Sequence, residues 1–452
     1  MKTIPRRRLI PIITDLAEYR QAANNTISYT NEMIARYGDV CEVSFTGIKN
    51  YFIHDPEVIK EILTAQGPKM KRTTLFRAFR KFLGYGLFTS DGDYHKRQRR
   101  LIKPAFYPQR IEEYASIMVA CADEEMNNWK VGETINVNQA MTRITLKVIT
   151  RAMFGSGMEN DLIEVVGKDL AAAFGLMNTI VQNPFYVYCL DKGIQIPIIK
   201  EFFTQKAKLD KVINGIIGAY RDDESKNKTR KDLLSMLMEA RDEDTGTGMT
   251  NEQIRDEVMT FFIAGHETTT LALTWTLYLL GKHPEIANQC YEEVKATIRD
   301  RLPKASDYGS LHVTRNIFKE SLRLYPPAWT FAREPIEDVV IHDYHFPKGS
   351  CLWTVTYILH RSEKYFHNPE EFIPARWDEE KIKDIPKYAY FPFGGGNRMC
   401  IGEGFAWMEG ILVLATIASR FRLQLPPGFS TSINPVFSLK TKDPVMMKVL
   451  EN

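Results

Sequence analysis

The chain has 452 residues, of which 44% are apolar and 25% charged, and its formal net charge is only +3 at pH 7. This composition is typical of a globular protein with a sizeable core, and the near balance of charge argues against nucleic acid as a partner. The cysteines are scattered, without a C-x-x-C pair, at Cys41, Cys121, Cys189, Cys290, Cys351 and Cys400. Such usage is typical of a reducing compartment, so we expect a cytoplasmic protein.

The amino-terminal stretch looks like the start of a signal or anchor, but it is too short to be one. Lys2 and the arginines at 6–8 precede an apolar run at 9–13 that Pro11 interrupts. Nowhere does the sequence hold about 18 consecutive apolar residues, so no transmembrane helix is expected. Because the sequence contains neither a repeat nor a linker rich in Pro, Gly and Ser, we predict a single domain over residues 1–452.

A small β region is predicted near the start of the chain. Short apolar stretches at 41–45 and 51–53 flank turn residues at 47–50, and a helical pattern begins at Pro56. The alternation and the turn together predict two short strands followed by a helix.

The next helix carries two cationic side chains on one face. His95 and Arg99 lie four residues apart, where they can hold one anion or belong to an ordinary solvated basic face. From residue 109 to residue 249 the pattern is largely helical, with charged surface loops at 221–228 and 241–246.

A long helix is predicted in the middle of the chain. Thr250 and Gln253 form a capping box, and the helical pattern runs to Leu280 before Gly281, a length of roughly 45 Å. Within it, residues 264–269 place a glycine, an acid and hydroxyls in an apolar segment. These residues disfavour a buried helix and so suggest a function, although a glycine packing contact with threonines bonded to the preceding turn is an equal alternative.

Two weaker patterns follow. Glu320 and Arg323 are an acid and a base three residues apart on a helix, which alone would predict a surface ion pair. Apolar stretches at 339–341 and 352–356, around a turn at 347–349, predict a second β region.

The strongest pattern lies at residues 391–402, where one thiol sits among glycines, a cation and phenylalanines. Glycines let backbone N–H groups approach the sulfur of Cys400, and a helical pattern after Gly402 places it near a helix amino terminus, which favours a thiolate. The loop therefore predicts a metal ligand. An inert buried cysteine is the alternative, and a nucleophile is less supported because no motif places a His or Asn partner.

Three motifs together resemble those of the cytochrome P-450 family. The haem-thiolate loop F-x-x-G-x-R-x-C-x-G is matched by Phe393, Gly396, Arg398, Cys400 and Gly402. The oxygen-activation motif is matched at residues 264–269, and a buried structural network is matched by Glu320, Arg323 and Arg376. The resemblance extends from the first strands to residues 436–439.

The resemblance implies haem b as the cofactor, with Cys400 as the iron ligand. His95 and Arg99, together with Arg333, would hold the haem propionates. The cofactor-binding residues that it implies are Cys400, His95, Arg99, Arg333, Arg398, Phe393 and Gly402. His95 replaces a tryptophan that is common in membrane-bound members, which favours a soluble bacterial form.

The fold implied is mainly α with a minor β region and a long central helix over the haem. The activity implied is a monooxygenase that inserts one oxygen atom from O2 into a lipophilic small molecule such as a fatty acid or isoprenoid. Thiolate donation favours O–O cleavage, and Thr268 and Glu267 would relay protons. Electrons would come from NAD(P)H through ferredoxin and ferredoxin reductase or a similar donor, which we expect to dock near Arg97, Arg100 and Lys103, and we expect a monomer.

The substrate pocket is carried over from segments that line it in the family, although core packing would explain any one of its residues equally well. These residues are Leu75, Phe82, Leu87, Phe174, Phe261, Phe262, Ala264, Ala328, Phe331, Val436 and Phe437. All are apolar, which predicts a lipophilic substrate.

Two alternative functions remain. A peroxide-driven peroxygenase would not need the acid and threonine pair, so Glu267 and Thr268 count against it. A non-enzymatic haem sensor would need an output domain or a DNA-binding motif, and the sequence shows neither.

Overall fold

The structure is a computed structural model. It describes residues 2–6, 25–45, 48–73, 76–155, 160–222 and 232–452. Most of these residues are helical and a minority form small sheets, which confirms the prediction of a mainly α fold with a minor β region. Over the described ranges no helix is both long and apolar enough to cross a membrane.

The α-helices of these ranges are α1 (Thr26–Tyr37), α2 (Pro56–Leu63), α3 (Phe76–Leu83), α4 (Gly92–Ile102), α5 (Pro108–Met126), α6 (Val137–Phe154), α7 (Asn160–Gln182), α8 (Pro184–Lys192), α9 (Pro197–Asp222), α10 (Leu233–Glu239), α11 (Asn251–Lys282), α12 (Pro284–Ile298), α13 (His312–Leu324), α14 (Thr356–Leu359) and α15 (Glu403–Arg420). The strands are β1 (Val40–Phe45), β2 (Ile48–Ile53), β3 (Met70–Lys71), β4 (Thr134–Asn136), β5 (Phe331–Pro335), β6 (Val339–Ile341), β7 (Tyr344–Phe346), β8 (Cys351–Thr354), β9 (Phe421–Gln424), β10 (Ile433–Pro435), β11 (Leu439–Thr441) and β12 (Met446–Glu451).

The chain divides into two compact units. The first unit comprises residues 1–74 and 319–400, and the second comprises 75–318 and 401–452. Each unit therefore combines two separate stretches of the chain. A single domain over residues 1–452 stays a prediction.

The first unit is built around a sheet with strand order β1-β2-β8-β5-β3. The first two strands pair antiparallel, with Val40 opposite Ile53, and β2 pairs parallel to β8. Buried apolar residues of the sheet and of α2, among them Ile59, join one core cluster. Both predicted β regions are confirmed, but β8 ends at Thr354 because Thr356 already begins the short helix α14. The turn predicted at 47–50 is wrong for residues 48–50, which already pair with β1 as part of β2.

The second unit is built around α11, which has 32 residues and packs along α6. At 1.5 Å per residue this helix is roughly 48 Å long. Its predicted capping box is confirmed, because Thr250 Oγ1 accepts from Gln253 N at 3.2 Å and Gln253 Oε1 accepts from Thr250 N at 2.9 Å. This geometry satisfies amide groups that a helix start leaves without partners.

The predicted end of the central helix at Gly281 is wrong, because the helix continues to Lys282. A Cβ at Gly281 would lie 2.6 Å from Leu425 and 2.7 Å from Met447. The glycine therefore allows close packing rather than ending the helix, and α12 begins at Pro284.

Parts of three predicted features lie outside the described residues. They are the apolar run at 9–13 with Arg7 and Arg8 before it, residue 47 at the start of the predicted turn, and the loop at 223–228. Residues 221 and 222 of that predicted loop belong to α9 instead.

Candidate active site

Cys400 ends a glycine-rich loop in the first unit and differs from the other cysteines in its exposure. It is exposed, whereas the remaining five cysteines are buried. Its backbone N–H donates to the carbonyl oxygen of Phe393 at 2.9 Å, which closes the loop around a short 3₁₀ turn at Gly396–Arg398. A thiol held at a surface by backbone geometry is suited to binding an external group.

Gly396 fixes the path of this loop. Its φ is +64°, and a Cβ there would lie 1.7 Å from the carbonyl oxygen of Leu63 on α2. No residue with a side chain fits such an approach to backbone. The glycine of the sequence motif is thus explained by one contact.

The donor set around Cys400 fits a haem. Among the described residues no group of three or more His, Cys, Asp or Glu side chains is placed to hold a metal ion. A haem brings its own nitrogen ligands to the iron, so a single protein thiolate such as that of Cys400 suits it. Cys400 would hold the iron when haem is bound.

Glu320, Arg323 and Arg376 lie together in the interior of the first unit. Arg323 donates to both carboxylate oxygens of Glu320, at 2.9 Å and 2.8 Å, and Arg376 Nε donates to Glu320 Oε1 at 3.1 Å. Trp377 adds an indole donor at 2.8 Å. Both Glu320 and Arg323 are fully buried, so this is a buried network rather than the common surface pair.

The same network reaches the start of the cysteine loop through His360. Arg323 Nη1 donates to the carbonyl oxygen of His360 at 2.8 Å, and His360 Nε2 accepts from the backbone N–H of Phe391 at 3.2 Å. Burial, with a contribution from the charge of Arg323, lowers the pKa of His360 to about 3, so the ring stays neutral and can accept. Sequence reasoning missed His360, which no motif marked.

The oxygen-activation motif lies on α11 in the second unit, where the helix surface opens. The residues before it, such as Phe262, and the stretch from Thr269 to Leu280 are buried, but Ala264 is exposed and residues 265–268 are half-buried. Ala264 and the half-buried residues after it thus form an open face on a helix whose flanking turns are buried. A flat apolar cofactor fits such a face.

Thr268 bonds back to its own helix. Its Oγ1 donates to the carbonyl oxygen of Ala264 at 2.6 Å, which is the alternative that the sequence left open. The bond uses the hydroxyl proton, and the oxygen lone pairs of Thr268 remain able to accept. Gly265 lies close to α6, since a Cβ there would lie 2.9 Å from Ile149.

Glu267 is held by two residues that sequence reasoning did not assign to the site. Ser438 Oγ donates to Glu267 Oε1 at 2.9 Å, and Lys440 Nζ lies 2.7 Å from the same oxygen. The side chain of Glu267 is 12% exposed and that of Lys440 is 36% exposed. Burial, assisted by the charge of Lys440, lowers the pKa of neighbouring His266 to about 4.

The predicted propionate-binding residues are distributed over both units. His95 is buried and Arg99 is half-buried on α4 of the second unit. Arg333 is buried on β5 of the first unit, where its Nη1 donates to the carbonyl oxygen of Ala332 at 2.9 Å. Arg398 belongs to the first unit, and Gly402 is the N-cap of α15 in the second. Their shared role toward one haem stays a prediction.

The predicted pocket residues fall into two kinds by exposure. Phe82 and Phe262 are fully buried against Phe202 and Phe154, with ring centroids 5.6 Å and 5.7 Å apart, so core packing explains both. Phe174, Phe261 and Leu87 are nearly buried, and Ala264, Ala328, Phe331, Val436 and Phe437 keep exposed surface. Leu75 lies outside the described residues.

Phe437 connects several of these segments within the second unit. Its ring centroid lies 4.6 Å from that of Phe79, 6.1 Å from Phe88 and 5.5 Å from Phe174. The turn between β10 and β11 thus packs against α3, α7 and the segment before α4. This aromatic cluster forms an apolar surface suited to a lipophilic ligand.

Comparison with known proteins shows to which family the chain belongs. The family model described as cytochrome P450 matches residues 4–449. The chain belongs to the cytochrome P450 family. Cytochrome P450 enzymes bind haem, and relatives named as monooxygenases or oxygenases support a P450 monooxygenase activity for this chain.

Several curated relatives are bacterial P450 enzymes. Cyclooctatin synthase of Streptomyces melanosporofaciens is 34% identical over 91% of this chain and 88% of its own length. Cyclooctat-9-en-7-ol 5-monooxygenase of the same organism is 30% identical over 87% and 84%. Pentalenene oxygenase of Streptomyces avermitilis is 30% identical over 89% and 88%.

A solved P450 structure shows the same fold. The crystal structure of the cytochrome P450DA heme domain superposes with a TM-score of 0.86, at 27% identity over 99% of this chain and 98% of that chain. The predicted fold is thereby confirmed.

Proposed function

We propose that this P450 oxidises a lipophilic isoprenoid and receives its electrons from a separate redox protein. The names of two relatives contain cyclooctat-9-en-7-ol and pentalenene, which are apolar ring compounds. The predicted pocket residues are apolar as well. The observation that carries the substrate class is the aromatic cluster around Phe437, and the exposed thiol of Cys400 in its glycine-framed loop supports the haem on which an oxygenase depends.

Cys400 is the residue that would hold the haem iron. A haem bound through a thiolate supplies the activation of dioxygen. The buried Glu320 network and His360 hold the backbone at Phe391, where the cysteine loop starts, and such support would help to orient the ligand of the iron.

Thr268 and Glu267 would handle the protons of the reaction. The hydroxyl oxygen of Thr268 can accept a hydrogen bond while its own proton is donated to the carbonyl oxygen of Ala264. Glu267 is paired with Lys440, whose own side chain is about one-third exposed, and we propose that protons from solvent reach the motif by this pair. Ser438 keeps the carboxylate from turning away.

The electron donor is proposed to be a small ferredoxin with its NAD(P)H-dependent reductase. The basic residues after His95 were predicted to receive it, but Arg100 is paired with Asp242 at 2.6 Å and Asp244 at 2.7 Å. Arg97 donates to the carbonyl oxygen of Thr247 at 3.1 Å. The aspartates near these arginines reduce the positive charge that the surface offers to an electron donor. A cytoplasmic location and a monomeric state stay predictions.

The proposal is tested with purified protein loaded with haem, pentalenene as the probe substrate and isotopically labelled dioxygen. With ferredoxin, reductase and NAD(P)H we expect an oxygenated product that carries one labelled atom. Product formed only with hydrogen peroxide would favour the peroxygenase alternative. Failure of pentalenene and of geranylgeraniol, together with turnover of a fatty acid, would overturn the isoprenoid assignment.

A further inference from the structure

Residues 84–91 connect α3 to α4 and are held by side chains of the central helix. Tyr85 N donates to Asp256 Oδ2 at 2.6 Å, and Leu87 N donates to Glu257 Oε2 at 2.9 Å. Two consecutive acids of α11 thus accept from alternate amides of this segment. Such bonds fix backbone dihedrals directly, which apolar packing does not do.

Each of these carboxyl groups is braced by a further partner. Glu257 Oε1 accepts from Gln98 Nε2 of α4 at 2.9 Å, and Asp256 Oδ1 accepts from Arg255 Nη1 at 2.7 Å. Glu257 is completely buried and Asp256 is 6% exposed. Burying an acid is unfavourable unless its oxygens accept hydrogen bonds. Asp256 and Glu257 therefore depend on these partners, which an apolar core residue would not need.

Two glycines let the segment approach the helix this closely. A Cβ at Gly84 would lie 2.0 Å from Asp256 Oδ1, and a Cβ at Gly86 would lie 2.6 Å from Thr260 Oγ1. The backbone of the segment therefore rests on α11 with no room for a side chain at positions 84 and 86.

Arg255 extends the same contact to other elements of the second unit. Its Nε donates to Asp210 Oδ1 on α9 at 2.8 Å, and its Nη2 donates to the carbonyl oxygen of Phe82 on α3 at 3.3 Å. Three consecutive residues, Arg255, Asp256 and Glu257, thus tie α3, the 84–91 segment, α4 and α9 to the amino-terminal half of the central helix.

The segment carries one residue predicted to line the pocket, Leu87, and next to it Phe88. Leu87 is nearly buried, and the ring of Phe88 lies 6.1 Å from that of Phe437. We propose that Asp256 and Glu257 are positioning residues that fix the 84–91 segment and thereby set the size of ligand that the pocket accepts. The inference rests on the proposed function in one respect, namely that Leu87 and Phe437 face the substrate.

Two measurements on the haem-loaded protein test this inference. Amide hydrogen exchange of the peptide containing Tyr85 and Leu87 reports the hydrogen bonds themselves. Spectral titration with imidazole and with 4-phenylimidazole reports ligand size, since both coordinate iron through a nitrogen and differ by one ring. Neither measurement requires catalysis, so its outcome is independent of the isoprenoid proposal.

The variants are Glu257→Ala, which removes the acceptor, and Gly86→Ala, which forces the segment away from α11. In both we expect exchange of that peptide to rise about tenfold, as for loss of a buried hydrogen bond, and the ratio of the two dissociation constants to change by about fivefold. Glu257→Gln keeps one carbonyl oxygen for the amide of Leu87, and Gln98 can turn its own amide to accept from the new NH2 group, so this variant should remain close to wild type. Glu252→Ala, at an exposed position in the first turn of α11, is the matched control.

Unchanged exchange in Glu257→Ala and Gly86→Ala would overturn the positioning role. Faster exchange with an unchanged ratio of dissociation constants would overturn the link to ligand size. If Glu257→Ala does not take up haem, the same two measurements on Gly86→Ala test the positioning role, with Glu257→Gln as the variant that should resemble wild type.

Discussion

His360 accepts a hydrogen bond of 3.2 Å from the backbone N–H of Phe391, and its own carbonyl oxygen accepts from Arg323 at 2.8 Å. One neutral histidine therefore connects the buried Glu320 network to the first residue of the cysteine loop. The loop is held from the side of α13, and not only by its glycines.

The variant His360→Leu removes the acceptor of Phe391 and leaves a buried N–H without a partner. We expect the free energy of unfolding to fall by about 1–3 kcal/mol. A larger share of the ferrous carbon monoxide complex should also lose the red-shifted absorption of thiolate ligation. Denaturant unfolding and the difference spectrum measure these effects. His312→Leu, at an exposed position, should change neither, and an unaltered spectrum in His360→Leu would contradict the connection.

Two glycines of the cysteine loop should differ sharply when they are replaced by alanine. Both have positive φ, but a Cβ at Gly394 would meet nothing closer than Arg398 O at 4.0 Å, whereas at Gly396 it would lie 1.7 Å from Leu63 O. Gly394→Ala should therefore lose only about 1–2 kcal/mol of stability, which is the strain of a side chain at positive φ. Gly396→Ala must move backbone and should lose most bound haem. Equal haem content in the two variants would argue against the Leu63 contact.

The buried carboxyl group of Glu257 should make the stability of the protein depend on pH. Burial raises its pKa to about 7 from an ordinary 4.5, although the bonds from Leu87 and Gln98 act in the opposite direction. Between these values the folded protein binds more protons than the unfolded chain, so the stability contributed by this group falls as pH rises from 4.5 to 7. The effect is on the order of 3 kcal/mol.

The variant Glu257→Gln removes this titration, and the neighbouring Asp256 and Tyr94 are present in both proteins. We therefore expect the variant to gain stability relative to wild type as pH rises through the window. Denaturant unfolding at several pH values measures the difference. A stability difference that is independent of pH would show that Glu257 does not titrate there.

The motifs could be predicted from sequence because each is local. The capping box at Thr250, the motif around Thr268 and the loop around Cys400 occupy neighbouring positions whose residue types follow from backbone geometry. The partners of these motifs could not be predicted in this way. Ser438 lies 171 residues from Glu267, and Tyr85 lies 171 residues from Asp256, so these contacts depend on tertiary packing and leave no periodic pattern. Gly281 shows the same limit, because a packing glycine and a helix-ending glycine look alike in sequence.

Thr268→Ala tests the proton-handling role. The threonine is half-buried and bonded to Ala264, so its loss should change stability by only about 1 kcal/mol. NAD(P)H should still be consumed in the reconstituted system, but hydrogen peroxide should replace oxygenated product. The measurement is product formed per NAD(P)H oxidised. An unchanged ratio would contradict the proton-handling role and leave Thr268 with only its structural hydrogen bond to Ala264.

Ligation of the haem iron by the exposed thiol of Cys400 is tested most directly by the absorption spectrum of the ferrous carbon monoxide complex. Cys290→Ser, which alters a buried thiol that lies 3.5 Å from Thr314, should keep the strongly red-shifted band of the wild type. Cys400→Ser should lose that band, even in protein that still contains haem. A red-shifted band of wild-type intensity in Cys400→Ser would contradict the assignment.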